Sequence, residues 1–123
     1  MRRLVAAVVS AALVAAPSPA GMVLRLINQA RTRAHLARLH ADGRLAHIAR
    51  VCREDVLRSC SRRLGVHVRA LGENTALYIT QGPREAVEAW MESPSHRANI
   101  LEPDWRATGV AVLGTTYVQV FGP

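Results

Sequence analysis

Two alternating runs close the chain and limit its fold more than anything before them. Val110 and Val112 alternate with Ala111 and Leu113, and Tyr117-Val118-Gln119-Val120-Phe121 continues the two-residue period. Gly114 sits between the runs, where a tight hairpin turn needs a residue tolerant of positive φ. Most apolar positions upstream recur at helical spacing instead. Helices first and a hairpin last predict an α+β fold, with helices packed on a small antiparallel sheet. At 123 residues the chain has room for one core and one domain.

The helical stretches can be placed in turn. Val23, Ile27, Ala30 and Ala34 predict a helix over Val23 to Leu36, with Asn28, Gln29, Arg31 and Arg33 facing elsewhere. A loop around His40 and Ala41 follows. Asp42 is the expected N-cap of a second helix carrying Leu45, Ile48, Ala49, Cys52 and Val56 on one stripe. Ser59 to Ala70 is rich in arginine, holds Gly65 and His67, and reads as a short helical turn and loop. Leu77-Tyr78-Ile79 is a candidate short strand, broken by Gln81-Gly82-Pro83. Pro83 suits the first position of a third helix, in which Val87, Trp90 and Met91 point inward and Glu85 and Glu88 occupy the early turns. Pro94 stops or kinks that helix. Ser95 to Leu101 adds one more turn, anchored by Ile100 and Leu101.

The chain opens with a targeting pattern. Met1-Arg2-Arg3 is basic, Leu4 to Ala16 is an apolar run, and Ser18-Pro19-Ala20 is a small-residue cleavage site. The expected organisation is a signal peptide over 1–20 and one domain over 21–123. The apolar run is well short of the ~20 residues that span a bilayer, so the mature form is expected to have no transmembrane span. Cys52 and Cys60 suit an oxidising compartment. Along one continuous helix their Cα atoms would lie ~12 Å apart, beyond disulfide reach. They pair only if the helix ends near Arg58 and the chain folds back; otherwise Cys52 is a buried small hydrophobe. The net charge is +7, but all 16 basic residues are arginine. They are spread through every segment, and the five aromatic residues are too few for a base-stacking platform, so no nucleic-acid partner is expected.

Candidate chemistry rests on Glu73 and His96. Glu73 follows Gly72, read as letting the backbone turn and aim the carboxylate inward. His96 sits just past the expected helix stop, where functional side chains are often displayed. Such a pair can share a proton, bind a divalent cation or orient a water. A Glu–His hydrogen bond that ties a loop to a helix is the structural alternative. There is no glycine-rich phosphate loop, His-Glu-x-x-His or Gly-x-Ser-x-Gly. Cys52 on a helix face, without an electropositive pocket, is a poor nucleophile for His96 to activate.

Three stretches in this order resemble the bacterial branch of the CAP/SCP superfamily of cysteine-rich secretory, antigen 5 and pathogenesis-related proteins. They are Gly72-Glu73-Asn74, Ala86-Val87-Glu88-Ala89-Trp90-Met91, and Ser93-Pro94-Ser95-His96-Arg97-Ala98-Asn99-Ile100-Leu101. Gly109 to Val112 and Tyr117 to Gly122 are similar to its closing strands, and Leu26 to Arg31 to its start. The resemblance implies an α-β-α sandwich, secretion, and a cleft lined in many members by two His and two Glu. Glu73 and His96 match one of each, as a cleft pair with catalytic or metal-binding roles. The segment of the first histidine, about Ser61 to Leu64, has none, and His67 is off the spacing. Ser93 stands where the second glutamate would be, with Glu92 one position early. With secretion implied by the resemblance, the expected function is a binding or interaction module at the cell envelope or outside the cell, taken as a monomer. Its partner would be a lipid, a cell-wall component or a protein. A divalent cation such as zinc is compatible with the pair but not required. The alternative is a secreted hydrolase or peptidase using the His/Glu cleft.

Overall fold

The computed structural model describes residues 4–8, 16–52, 57–67 and 70–123. The elements in chain order are α1 (Pro19–Arg33), β1 (His40–Ala41), α2 (Gly43–Val51), α3 (Leu57–Arg63), β2 (Gly72–Ala76), α4 (Pro83–Glu92), α5 (Pro94–Ile100), β3 (Ala107–Leu113) and β4 (Thr116–Gly122). The sheet order is β1-β3-β4-β2. The hairpin forms as the alternation predicts, with Ala111 opposite Val118 and Gly114 at φ 62° in the turn. β2 lies antiparallel to β4, but β1 runs parallel to β3, so the sheet is mixed rather than wholly antiparallel.

Alternation sends the two faces of the sheet to different helices. Ala107, Ala111, Val118 and Val120 pack with Leu45, Ile48 and Ala49 of α2 and Leu57 of α3. On the other face, Tyr117 and Phe121 join Val23, Leu26 and Ile27 of α1, Ala86, Val87 and Trp90 of α4, and Ile100 of α5. The result is a three-layer α-β-α sandwich. Contact on the α2 side is so close that a Cβ on Gly109 would stand 1.9 Å from the Ala46 nitrogen. Only glycine lets that helix backbone rest directly on β3.

Helix ends follow their local chemistry. Ser18 Oγ accepts from Gly21 N and Pro19 takes the first turn, so α1 begins four residues before the expected Val23. It ends at Arg33 in a left-handed stop: His35 has φ 60°, Leu36 N donates to Arg31 O, and His35 N to Thr32 O. Asp42 caps α2 as expected, its Oδ1 accepting from Arg44 N and Leu45 N. The Arg44 guanidinium and these backbone donors hold its carboxyl below the ordinary carboxylate range, against the opposing effect of burial.

α2 stops at Val51, earlier than the long stripe suggested, and Cys52 is its C-cap. That break lets the chain return. Cys52 and Cys60 are bridged, with Cα atoms 5.8 Å apart. Val56 of the expected stripe lies outside the described residues, as do Arg69, residues 1–3 and much of the leader's apolar run. The expected strand at Leu77-Tyr78-Ile79 is not one: β2 ends at Ala76, and Tyr78 takes φ 60°. Pro94 starts α5 rather than kinking α4, leaving Ser93 as the single joint between the two helices.

Candidate functional site

The two motif segments meet where the edge strand β2 lies beside α5. Gly72 opens β2 in extended backbone, not in a turn. Its lack of a side chain makes room for Trp105, whose Cζ2 would lie 2.9 Å from an added Cβ. Trp105 in turn stacks on Phe121 at 6.2 Å between ring centroids. This corrects the expectation of a sharp backbone turn before Glu73.

From there the strand alternates. Glu73, opposite Val120, and Thr75, opposite Val118, share the face turned to α2. The Thr75 hydroxyl donates to Glu73 Oε1 at 2.8 Å. Asn74, opposite Gln119, points to the other face and is fully buried. Its Nδ2 donates to the His96 carbonyl at 3.0 Å, and its Oδ1 accepts from Asn99 Nδ2 at 3.0 Å. Asn99 Nδ2 also donates to the Glu73 carbonyl at 3.1 Å. Two asparagines thus interlock α5 with the exposed edge of the sheet and cover a strand carbonyl that another chain would otherwise find.

Glu73 and His96 therefore sit on neighbouring elements whose backbones are tied together, and both side chains are half-buried. Among the described residues, no hydrogen bond or ion pair joins the Glu73 carboxylate to the His96 imidazole. Neither the segment about Ser61 to Leu64, where the first histidine would lie, nor Ser93, where the second glutamate would lie, holds a tetrad side chain. Ser61 is buried and donates its hydroxyl to Arg58 O at 2.8 Å, while Ser93 joins α4 to α5. His67 and Glu92 are exposed. Among the described residues no three His, Cys, Asp or Glu side chains gather in one place. A protein zinc site usually takes three or four such ligands, so this donor set does not fit one.

A second polar structure escaped the sequence reading. Arg31 was expected to face away from the core, yet it is wholly buried. Its Nε donates to Ala37 O at 2.8 Å, and its Nη1 to Ile100 O at 2.8 Å and Glu102 O at 2.9 Å. Burial and the nearby Arg106 lower its pKa, and Glu102 partly offsets them. Asn28, also expected outside, is buried and holds Leu39 on both sides: Nδ2 donates to Leu39 O and Oδ1 accepts from Leu39 N. The signal was present in the spacing. Val23, Ile27 and Arg31 lie at i, i+4 and i+8 of one stripe, so a core position was occupied by arginine.

A third feature lies between α1 and α4. Leu26, Ala30, Val87 and Met91 line a groove of about 230 Å³, with Gln29, Arg33, Arg84 and Glu88 around it. Among the described residues no helix is long and apolar enough to cross a membrane.

Comparison with known proteins gives concordant results. The model of the family described as CAP, cysteine-rich secretory protein family, matches residues 24–121. The protein YkwD of Bacillus subtilis is 37% identical over 62 residues, which is 49% of this chain and 24% of that protein. A cysteine-rich secretory protein from Staphylococcus aureus superposes with a TM-score of 0.78 at 22% identity, over 85% of this chain and 38% of that one. An extracellular protein containing a SCP domain from Bacillus anthracis gives 0.77 at 25% identity, over 85% and 40%. An outer surface protein from Borrelia burgdorferi gives 0.62 at 22% identity, over 82% and 89%. The chain thus spans well under half the length of the two Bacillus relatives and of the Staphylococcus protein.

Proposed function

The chain belongs to the CAP family of cysteine-rich secretory proteins, and from that premise we propose that it is a binding module of the cell envelope or extracellular space whose ligand is lipid-like. The observation that carries this reading is the groove between α1 and α4. Leu26, Ala30, Val87 and Met91 offer an apolar wall, and Arg33 and Arg84 stand at its margin. Each methylene buried against such a wall contributes about 0.8 kcal/mol, so a short stretch of acyl chain suffices for measurable binding. The arginines suit the polar end of an amphiphile, and Glu88, which lines the same groove, favours a ligand that also offers a hydrogen-bond donor.

Export is part of the same proposal. Residues 1–20 act as a cleaved leader, and the Cys52–Cys60 bridge suits an oxidising compartment. N-terminal sequencing of protein collected from culture medium tests it: a start other than Gly21 would move the processing site.

Binding of a dansyl-labelled fatty acid tests the groove. The wild-type chain should enhance the probe's fluorescence, and Ala30→Phe, which fills the groove, should abolish the enhancement while keeping its circular dichroism. Equal uptake by Ala30→Phe would overturn the groove reading. Hydrolysis of peptide or ester substrates that disappears in both Glu73→Gln and His96→Ala would establish the hydrolase alternative instead.

A further inference from the structure

α1 begins inside the expected leader. Pro19 and Ala20 open its first turn, Ser18 Oγ accepts from Gly21 N at 3.0 Å, and Ser18 O accepts from Met22 N at 2.8 Å. Cleavage after Ala20 removes these three residues and turns the Gly21 nitrogen from a capped peptide amide into an ammonium. A positive charge at a helix N-terminus opposes the helix dipole, and α1 has no acidic residue in its first turn to offset it. The counter-charge has to come from another element.

One stands across the edge of the sheet. Gly21, Asp42 and Gly109 line a single cavity of about 300 Å³ together with Ser18 and Ala20, so loss of the last two opens that cavity on the Gly21 side. Asp42 is the only titratable residue in the lining. His40 and Arg44 flank it in sequence but lie outside the lining, as does Arg25 one turn further along α1, and the adjoining β3 segment Thr108 to Val110 carries no titratable group. The Asp42 carboxylate is an anion, since the Arg44 guanidinium and two backbone donors hold it below the ordinary range. Its Oδ1 accepts from Arg44 N and Leu45 N. Among the described residues its Oδ2 meets only the Arg44 guanidinium, at 3.2 Å, and that side chain is 72% exposed. So exposed a pair is weak, which leaves Oδ2 able to accept from a further charged donor.

We propose that leader removal exchanges the Ser18 cap of α1 for an ion pair between the new Gly21 ammonium and the Asp42 carboxylate. The exchange rests on the processing after Ala20 proposed above. α1 and α2 cover opposite faces of the sheet, so this pair ties the two outer layers together around the edge of β3. The Ser18 cap, local to α1, makes no such tie. Only the processed chain has it, because the Gly21 nitrogen is uncharged until the peptide bond to Ala20 is cut. Asp42 then serves twice, capping α2 and anchoring the start of α1.

The sequence contains no lysine, so the α-amine is the only aliphatic amine of the mature chain and can be labelled without competition. Reductive methylation of protein from culture medium with isotopically labelled formaldehyde gives a single dimethylammonium signal. That group keeps its charge and a donor N–H, and its NMR shift against pH reports the amine pKa. An unperturbed α-amine titrates at about 7.7–8.0. Wild type should titrate about one unit higher. Asp42→Asn, which keeps a capping side chain for α2, should return the amine to the ordinary range or below. Because folding raises the amine pKa, its stabilisation is fully present below the unfolded value and lost as pH rises through the folded one. Wild type should therefore melt above Asp42→Asn at neutral pH, and the gap should narrow in alkali. Acetylation of the amine should lower the melting temperature of wild type and leave that of Asp42→Asn unchanged. Equal amine pKa values in wild type and Asp42→Asn would overturn the tie and leave the export reading intact. N-terminal sequencing that finds a start other than Gly21 would overturn both, since the Gly21 nitrogen would then not be the terminal ammonium.

Discussion

Replacing Arg31 with methionine is the sharpest test of what holds this sandwich together. Methionine keeps most of the length and the apolar stem, so packing changes little. What goes is the fork that ties three carbonyls, those of Ala37, Ile100 and Glu102, to α1 at 2.8, 2.8 and 2.9 Å. A fourth contact, Nη2 to Trp105 O at 3.4 Å, is too long to add much. Hydrogen bonds from a charged donor are worth about 1.5–3 kcal/mol net of desolvation. The Ile100 bond is buried while those to Ala37 and Glu102 are partly exposed, so water can replace part of the latter two. The low end of the range, applied three times, gives about 4.5 kcal/mol. That is a large share of the ~5–15 kcal/mol that stabilises a domain of this size. Buried ion pairs are sometimes replaced by apolar residues without loss, but only when both partners go, and backbone carbonyls cannot be removed. Urea denaturation of Arg31→Met should show that loss, and thermal melting a fall of about 20 °C at ~5 °C per kcal/mol. Arg31→Lys, which keeps the charge without the fork, should fall between the two. A methionine variant within about 1 kcal/mol of wild type would refute the clamp.

Other consequences are as open to measurement. Asp42→Ala should cost about 1 kcal/mol by uncapping α2. Because folding lowers the Asp42 pKa from 3.8, its contribution is fully present above that value and lost as pH falls through the lower folded one. The stability gap between variant and wild type should therefore close in acid; a gap that persists there would refute the capping role. Gly109→Ala should cost about 3 kcal/mol by pushing α2 off β3, visible in urea midpoints, and an unchanged midpoint would contradict the close approach. Cys60→Ser should cost about 2.5 kcal/mol, the entropy of an eight-residue closed loop, and reductant should bring wild type to the same melting temperature.

What the sequence revealed, and what it hid, follows from which interactions have a period. The hairpin was legible because Val110 to Phe121 alternate, and α4 because Val87, Trp90 and Met91 recur with a proline at the start. The Asp42 cap was legible because capping is local. β2 was not, because Gly72 to Ala76 is a polar stretch whose strand state is fixed by its pairing with β4 and by the Asn74–Asn99 interlock. Leu77 to Ile79 looked more like a strand by composition, yet only Ile79 of the three is buried. β1, two residues long, exists only because β3 lies beside it. The disulfide was undecided because it depends on where α2 stops, and nothing local to Val51 announces a stop.

The motif residues themselves divide in the same way. In Gly72-Glu73-Asn74, the glycine admits the Trp105 ring and the asparagine anchors α5, so two of the three positions have structural work that any activity would presuppose. Asn99 completes the lock from the other segment. The glutamate and His96 are the members of these motifs whose side chains the lock does not use. The asparagines tie the backbones of the two segments together, through the His96 and Glu73 carbonyls, and no bond between the Glu73 and His96 side chains does so. A chain can thus keep the motif for its architecture whether or not the cleft pair performs chemistry. That is why the motif identifies the fold so well.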